Sequence, residues 1–156
     1  NPPMHLVLVP PEIPNNTGCI GRLAVGLGLP LHLVQPIGFS LEDKYLKRAG
    51  LDYWSKVDLR LHENWSACLK SLGATTERLH FFTARGGTSL FDVGFSKDAI
   101  LVFGGESQGL PAEILDAFPS QRVRIPIKNE IRSLNIADAV CLAAYTALVS
   151  AEMPLP

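Results

Sequence analysis

Residues 101–110 read LVFGGESQGL: an apolar run from Leu101 to Phe103 breaks into Gly104 and Gly105, then one carboxylate, Glu106, ahead of the helix-like PAEILDAF at 111–118. A strand that ends in glycines brings bare backbone close to whatever sits at its carboxyl end. In an α/β sheet that end is where ligands bind. The same letters spell G-x-S-x-G over residues 105–109, between a strand and a helix, which is the context of a serine-hydrolase elbow. Order rules that reading out. The hydrolase histidine follows its serine along the chain, whereas His5, His32, His62 and His80 all precede Ser107 and leave it without an activating base.

Outward from this loop, short apolar, β-branched runs recur at 5–9, 31–35, 57–61, 79–83, 100–103 and 122–125, each of strand length. Helical patterns separate them. Ile20, Leu23, Ala24 and Leu27 follow i, i+3, i+4, i+7 spacing, with Asn15, Asn16 and Thr17 as cap candidates and Gly28 as the stop. A second helix is predicted over 41–49, with Ser40 and Asp43 placed like a capping box, and a third through Trp65, Cys68, Leu69 and Leu72 before Gly73. Pro111 opens a short helix through Phe118. The last, over 136–151, carries a broad small-residue stripe of Ile136, Val140, Ala143, Ala144, Ala147, Leu148 and Ala151, suited to packing on the sheet or against a second subunit. Strands alternating with such helices predict an α/β fold, a mostly parallel sheet with helices on both faces, in one domain spanning 1–156. The ligand site is then expected in the loops that begin at Pro10, Pro36, Ala84, Gly104 and Pro126.

The bulk composition narrows the function classes. With 47% hydrophobic and 19% charged residues, the chain has the makings of a well-packed core. Its three cysteines are far apart and in no C-x-x-C pair, which predicts neither a disulfide framework nor a zinc ribbon and points to a reducing, cytoplasmic setting. A net charge of −1 argues against nonspecific coating of nucleic acid and leaves room for a local basic patch. No apolar run reaches the length of a membrane span, and the start NPPMHLVLV lacks a basic region and cleavage site, so Asn1 to Pro3 read as an addition before Met4. The histidines lack metal-ligand spacing, and three of them lie in strand-like runs, so core histidines and no metal are expected. There is no G-x-x-x-x-G-K-[ST] phosphate loop, and Gly26-Leu27-Gly28 stands where a helix stops.

Three segments stand out together. In PNNTGCIGR, Asn16 precedes Arg22 by six residues at the mouth of the first β-to-α turn; the second segment is residues 103–110; the third is Ile125-Pro126-Ile127 followed by Ser133-Leu134-Asn135 at the start of the last helix. Singly, each has an ordinary alternative: Asn16 and Asn135 as helix caps, Arg22 as a solvated helix residue, Glu106 as a first-turn dipole partner. Their combination resembles the three motifs of the SPOUT superfamily, and within it the TrmH-like tRNA ribose 2′-O-methyltransferases. PEIPNNTG, GFSLEDKYLKRAGLDYW, FGGESQGLP and RIPI with RSLN look like the small single-domain TrmL or YibK branch, which modifies the wobble nucleotide of tRNA.

The resemblance implies S-adenosylmethionine bound in a carboxyl-terminal trefoil knot over about 79–152, an arrangement that pattern reasoning does not propose because knots are nearly absent from proteins. It implies cofactor contacts at Phe82, Thr83, Gly104, Glu106, Gly109, Ile125, Ile127, Ser133 and Leu134. It also implies catalytic roles for Arg22, Asn16, Glu106, Ser133 and Asn135, with Arg22 holding the phosphate beside the reacting ribose. RNA contacts are expected from Arg22, Lys44, Lys47 and Arg48, and the partners implied are a tRNA substrate and a second copy in a homodimer built through the knot region, with no metal. The chain departs from the branch pattern at Gly105, where proline is frequent, at Gln108, where a basic residue is common, and at Cys19, where a polar residue is usual. The alternatives are methylation of another RNA position or of rRNA, and a silent cofactor- or RNA-binding module.

Overall fold

The computed structural model describes residues 4–37 and 53–156. Seven strands form one sheet: β1 (His5–Val9), β2 (Leu31–Val34), β3 (Leu59–His62), β4 (Leu79–Thr83), β5 (Thr88–Ser89), β6 (Ile100–Gly104) and β7 (Arg122–Arg124). Their order is β3-β2-β1-β6-β4-β7-β5, and every pairing is parallel. Helices α1 (Pro14–Leu27), α2 (Trp65–Leu72), α3 (Ala112–Ala117) and α4 (Ile136–Ser150) cover it. The expected α/β architecture is present.

Burial on both faces explains why the strands read as continuous apolar runs rather than alternating ones. Leu6, Leu8, Leu31, Leu33, Leu101 and Phe103 point to a core shared with α1 and α4. Val7, Val9, Val34, Phe81, Ile100 and Val102 point the other way, toward α2 and α3. The stripe on α4 is spent inside this core: Val140, Ala143, Ala144 and Ala147 are all fully buried, and α4 packs against α1. Of the two uses expected of the stripe, packing inside the subunit is the one the structure shows. The face of α4 left open carries Leu142, Tyr145 and Val149.

Two boundaries moved for local reasons. A tight turn at Trp54–Lys56, closed by Val57 N–H donating to Trp54 O, consumes the start of the third run, so β3 begins at Leu59. Pro126 cannot extend a ladder, and β7 stops at Arg124, leaving Ile125 free to face the site. β5, two residues long at the sheet edge, is too short to show any period. The predicted helix over 41–49, with Ser40 and Asp43, lies outside the described residues.

The chain order reverses across β1, β6 and β4. β2 and β3 build outward from β1, and then β4 begins again on the far side of β6. Such a reversal opens a crevice at the carboxyl ends of the strands.

Candidate active site

A cavity of about 580 Å³ occupies that crevice. Phe82 and Thr83 at the end of β4, Gly104 at the end of β6, and Ile125 and Ile127 beyond β7 line it. Phe82 and Phe103 stack at 4.5 Å with 15° between their planes, giving one side of the cavity a flat aromatic wall. Glu106, Gly109, Ser133, Leu134, Asn135 and, from α1, Asn16 complete the part anticipated from the sequence.

Glu106 links two of these segments. Its Oε1 accepts the Ile13 N–H and the Asn16 side-chain amide, both at 3.3 Å, while Oε2 is buried with no partner among the described residues. Asn16 in turn accepts the Asn135 amide at 3.3 Å. The caps differ from expectation. Pro14 takes the first turn of α1 and Ile13 is its cap residue, with no side-chain cap bond, so Asn15, Asn16 and Thr17 lie within the helix. Asn16 is thereby released to face the cavity, and Glu106 serves the amino terminus of α1 rather than that of the following helix. Asn135 does both jobs: its Oδ1 caps α4 through the Ala137 N–H at 2.8 Å, and its amide reaches Asn16.

The glycines of the loop answer to the loop itself. A Cβ on Gly104 would lie 2.1 Å from Gly109 C and Leu110 N, because the chain folds back against the end of β6. A Cβ on Gly105 would lie 1.8 Å from Oε1 of Glu12. Gly109, at φ 69°, closes the turn with its N–H on Gly105 O at 3.0 Å.

Arg22 stands apart from the cavity. It is exposed on α1, its guanidinium 5.8 Å from the centroid of Tyr53, whose hydroxyl donates to Gly18 O at 2.5 Å. Lys44, Lys47 and Arg48 lie outside the described residues. Arg132 lines the cavity and is exposed, whereas Arg122 is tied to Asp116 at 3.1 Å. Sequence reasoning assigned no role to Glu12, whose carboxylate reaches Ser107. The only signal was a charge between prolines in the loop after β1.

The histidines are buried, as expected, but they are not isolated. His5 Nδ1 and His32 Nε2 are 2.9 Å apart, His32 Nδ1 and His62 Nε2 2.8 Å apart, a diagonal row across β1, β2 and β3. Donor atoms of His32, His62 and Cys68 lie within 4.8 Å of one another, a grouping that the sequence spacing hid. Each His–His contact shares one proton between two rings, and burial pushes the Cys68 thiol up to about 12, so the cluster reads as neutral core.

The sequence and the fold of this chain are shared with known proteins. The pattern of the SpoU rRNA Methylase family matches residues 3–145. A tRNA (cytidine(34)-2′-O)-methyltransferase of Acidovorax sp. (strain JS42) is 46% identical over 144 residues, covering 92% of this chain and 89% of its own. A putative RNA methyltransferase from Bacillus anthracis superposes with a TM-score of 0.90 at 36% identity, covering 97% and 96% of the two chains. A solved structure described as giving insight into 2-OH methylation of C/U34 on tRNA superposes at 0.85 with 50% identity, covering 94% and 95%. With the family pattern spanning most of the chain and the cavity where such a fold places one, this chain belongs to the SpoU rRNA Methylase family.

Proposed function

We propose that this protein transfers a methyl group from S-adenosylmethionine to the ribose 2′-hydroxyl of a tRNA nucleotide, cytidine or uridine at wobble position 34. The names of its relatives support the substrate. The observation that carries the chemistry is Glu106, a cavity-lining carboxylate held on one oxygen by Ile13 and Asn16 and without a partner on the other among the described residues. A cavity-lining carboxylate with one oxygen left unpaired favours a cationic neighbour.

The residues fit the cofactor. The cavity has the size of a small-molecule site, the Phe82–Phe103 wall and the side chains of Ile125 and Ile127 suit a flat purine, and Glu106 suits a cation. When bound, the cofactor supplies an electrophilic methyl group on a sulfonium. The chain's own work is positioning: Asn16 and Asn135 fix the cavity mouth, Ser133 presents a hydroxyl there, and Glu106 holds the charge in place. A guanidinium offers donors and no acceptor, so the part of Arg22 is to grip an RNA phosphate rather than to take the ribose proton. Lys44, Lys47 and Arg48 add positive charge for the RNA. Arg22 lies off the cavity, which favours a homodimer joined through the knotted 79–152 region, with the open Leu142, Tyr145 and Val149 face of α4 as contact surface. Among the described residues no helix is long and apolar enough to cross a membrane, in keeping with work on tRNA in the cytoplasm.

Incubation with labelled S-adenosylmethionine and total tRNA, followed by nucleoside mapping by mass spectrometry, is expected to yield a 2′-O-methylated nucleotide at position 34. A product at another site, or none despite cofactor binding, overturns the reading in favour of another RNA or of a silent binding module.

A further inference from the structure

The loop after β1 holds a second carboxylate that the mechanism above does not use. Glu12 Oε2 accepts the Ser107 hydroxyl at 2.7 Å, and Oε1 accepts the Ser107 N–H at 3.3 Å. Glu106, from the opposite loop, accepts Ile13 N–H and the Asn16 amide. The two loops thus exchange carboxylates, each glutamate held by N–H or O–H donors from the other segment. Coulomb repulsion between two nearby carboxylates works against the clasp, so its hydrogen bonds are what keep it shut.

The seat for Glu12 depends on residue 105. Gly105 is buried, and a Cβ there would lie 1.8 Å from Glu12 Oε1 and 2.7 Å from its Cδ. Any side chain at 105 expels the Glu12 carboxylate or shifts the loop. Adjacent Glu106 lines the cavity.

We infer that Glu12 is a positioning residue for the cofactor wall: seated over Gly105 and bonded to Ser107, it fixes the 104–109 loop so that Glu106 keeps its place in the wall of the cavity. The inference rests on the cofactor reading above. Glu12 and Gly105 then act as one unit, because removing the carboxylate and filling its seat have the same consequence for the loop.

The test measures binding of S-adenosylmethionine to the full chain by calorimetry for wild type, Glu12→Ala, Glu12→Gln, Gly105→Ala and the Glu12→Ala/Gly105→Ala double variant, with melting temperature recorded for each. Losing hydrogen bonds to a charged group is expected to weaken binding by about tenfold in each alanine variant. The double variant is expected to match the singles rather than to multiply their losses. Glu12→Gln is expected to restore affinity to within about threefold, since its carbonyl still accepts the Ser107 N–H and its amide still meets the Ser107 hydroxyl. A merely structural role would lower the melting temperature without this pattern of coupling and rescue. Wild type that binds while Glu12→Ala binds equally well, or losses that multiply in the double variant, overturns the inference alone; wild type that binds no cofactor overturns the inference together with the reading beneath it.

Discussion

Asn16 and Asn135, separated by 119 residues in the chain, meet side chain to side chain at 3.3 Å, the Asn135 amide donating to the Asn16 carbonyl oxygen. The same Asn135 uses its own carbonyl oxygen to cap α4 at 2.8 Å. Stability and positioning are therefore separable at one residue.

Asn135→Asp keeps the capping oxygen and removes the donor to Asn16. An aspartate caps a helix about as well as an asparagine, so the melting temperature is expected to hold while methyl transfer falls by about tenfold or more. Asn135→Ala removes both and is expected to lose about 1 kcal/mol of stability in addition. Thermal melts read beside the labelled methyl-transfer assay check the pair. Equal activity in Asn135→Asp and wild type removes the Asn16 contact from the mechanism.

Glu106→Gln keeps the shape of the side chain, and its carbonyl can still accept from Ile13 and Asn16, but the negative charge in the cavity wall is gone. S-adenosylmethionine carries a sulfonium charge and its demethylated product does not. The variant is expected to weaken the cofactor by about tenfold, equivalent to about 1.4 kcal/mol, and to leave the product near its wild-type affinity. Calorimetry with both ligands decides; equal losses for the two mean that Glu106 supplies shape rather than charge.

Much of the fold was legible because burial on both sheet faces writes β1 and β4 as unbroken apolar runs, and both strands occupy their predicted residues. The loops that line the cavity were legible because glycines and prolines mark the strand ends, whereas the individual residues came from the resemblance to the family motifs. What was hidden depends on partners distant in sequence. Glu12 matters through Ser107, 95 residues on, and His32 meets His62 and Cys68 only because β2, β3 and α2 pack together. Asn16 resembled a cap until Pro14 proved to hold the first turn.

The buried histidines predict acid sensitivity. Burial, the largest cause, holds His5 and His80 down at about 4 and His32 at about 3, with Arg60 and Arg78 adding to it at His5, and His5, His62 and Arg60 at His32. A histidine depressed in the folded state binds its proton more readily when unfolded. Its contribution is thus fully present above pH 6.5 and is lost as the pH falls from there toward 4, at about 1.4 kcal/mol for each unit of depression. Urea unfolding is expected to give constant stability between about pH 8 and 7 and a steep decline below 6.5. His80, whose Nε2 has no partner among the described residues and whose ring lies 4.7 Å from Phe95, offers the control. His80→Phe is expected to reduce the slope between about pH 6 and 5 by about one proton. A stability that stays flat from pH 7 to 5 contradicts the burial argument.

Arg22 tests the division between cofactor and RNA. It is exposed, outside the cavity, and its one aromatic contact among the described residues is with Tyr53 at 5.8 Å. An exposed cation–π contact is worth about 0.5–1 kcal/mol, so Arg22→Ala is expected to fold with little change in melting temperature. Cofactor affinity is expected to stay at the wild-type value, because nothing lining the cavity is removed. Methyl transfer to tRNA is expected to be abolished, since the phosphate beside the reacting ribose loses its guanidinium. Arg22→Lys keeps the charge but not the planar fork, and is expected to recover only part of the activity. Calorimetry for the cofactor and the labelled-tRNA assay, run on the same preparations, separate the two effects: a large fall in cofactor affinity places Arg22 in the pocket, and full methyl transfer by Arg22→Ala removes it from the reaction.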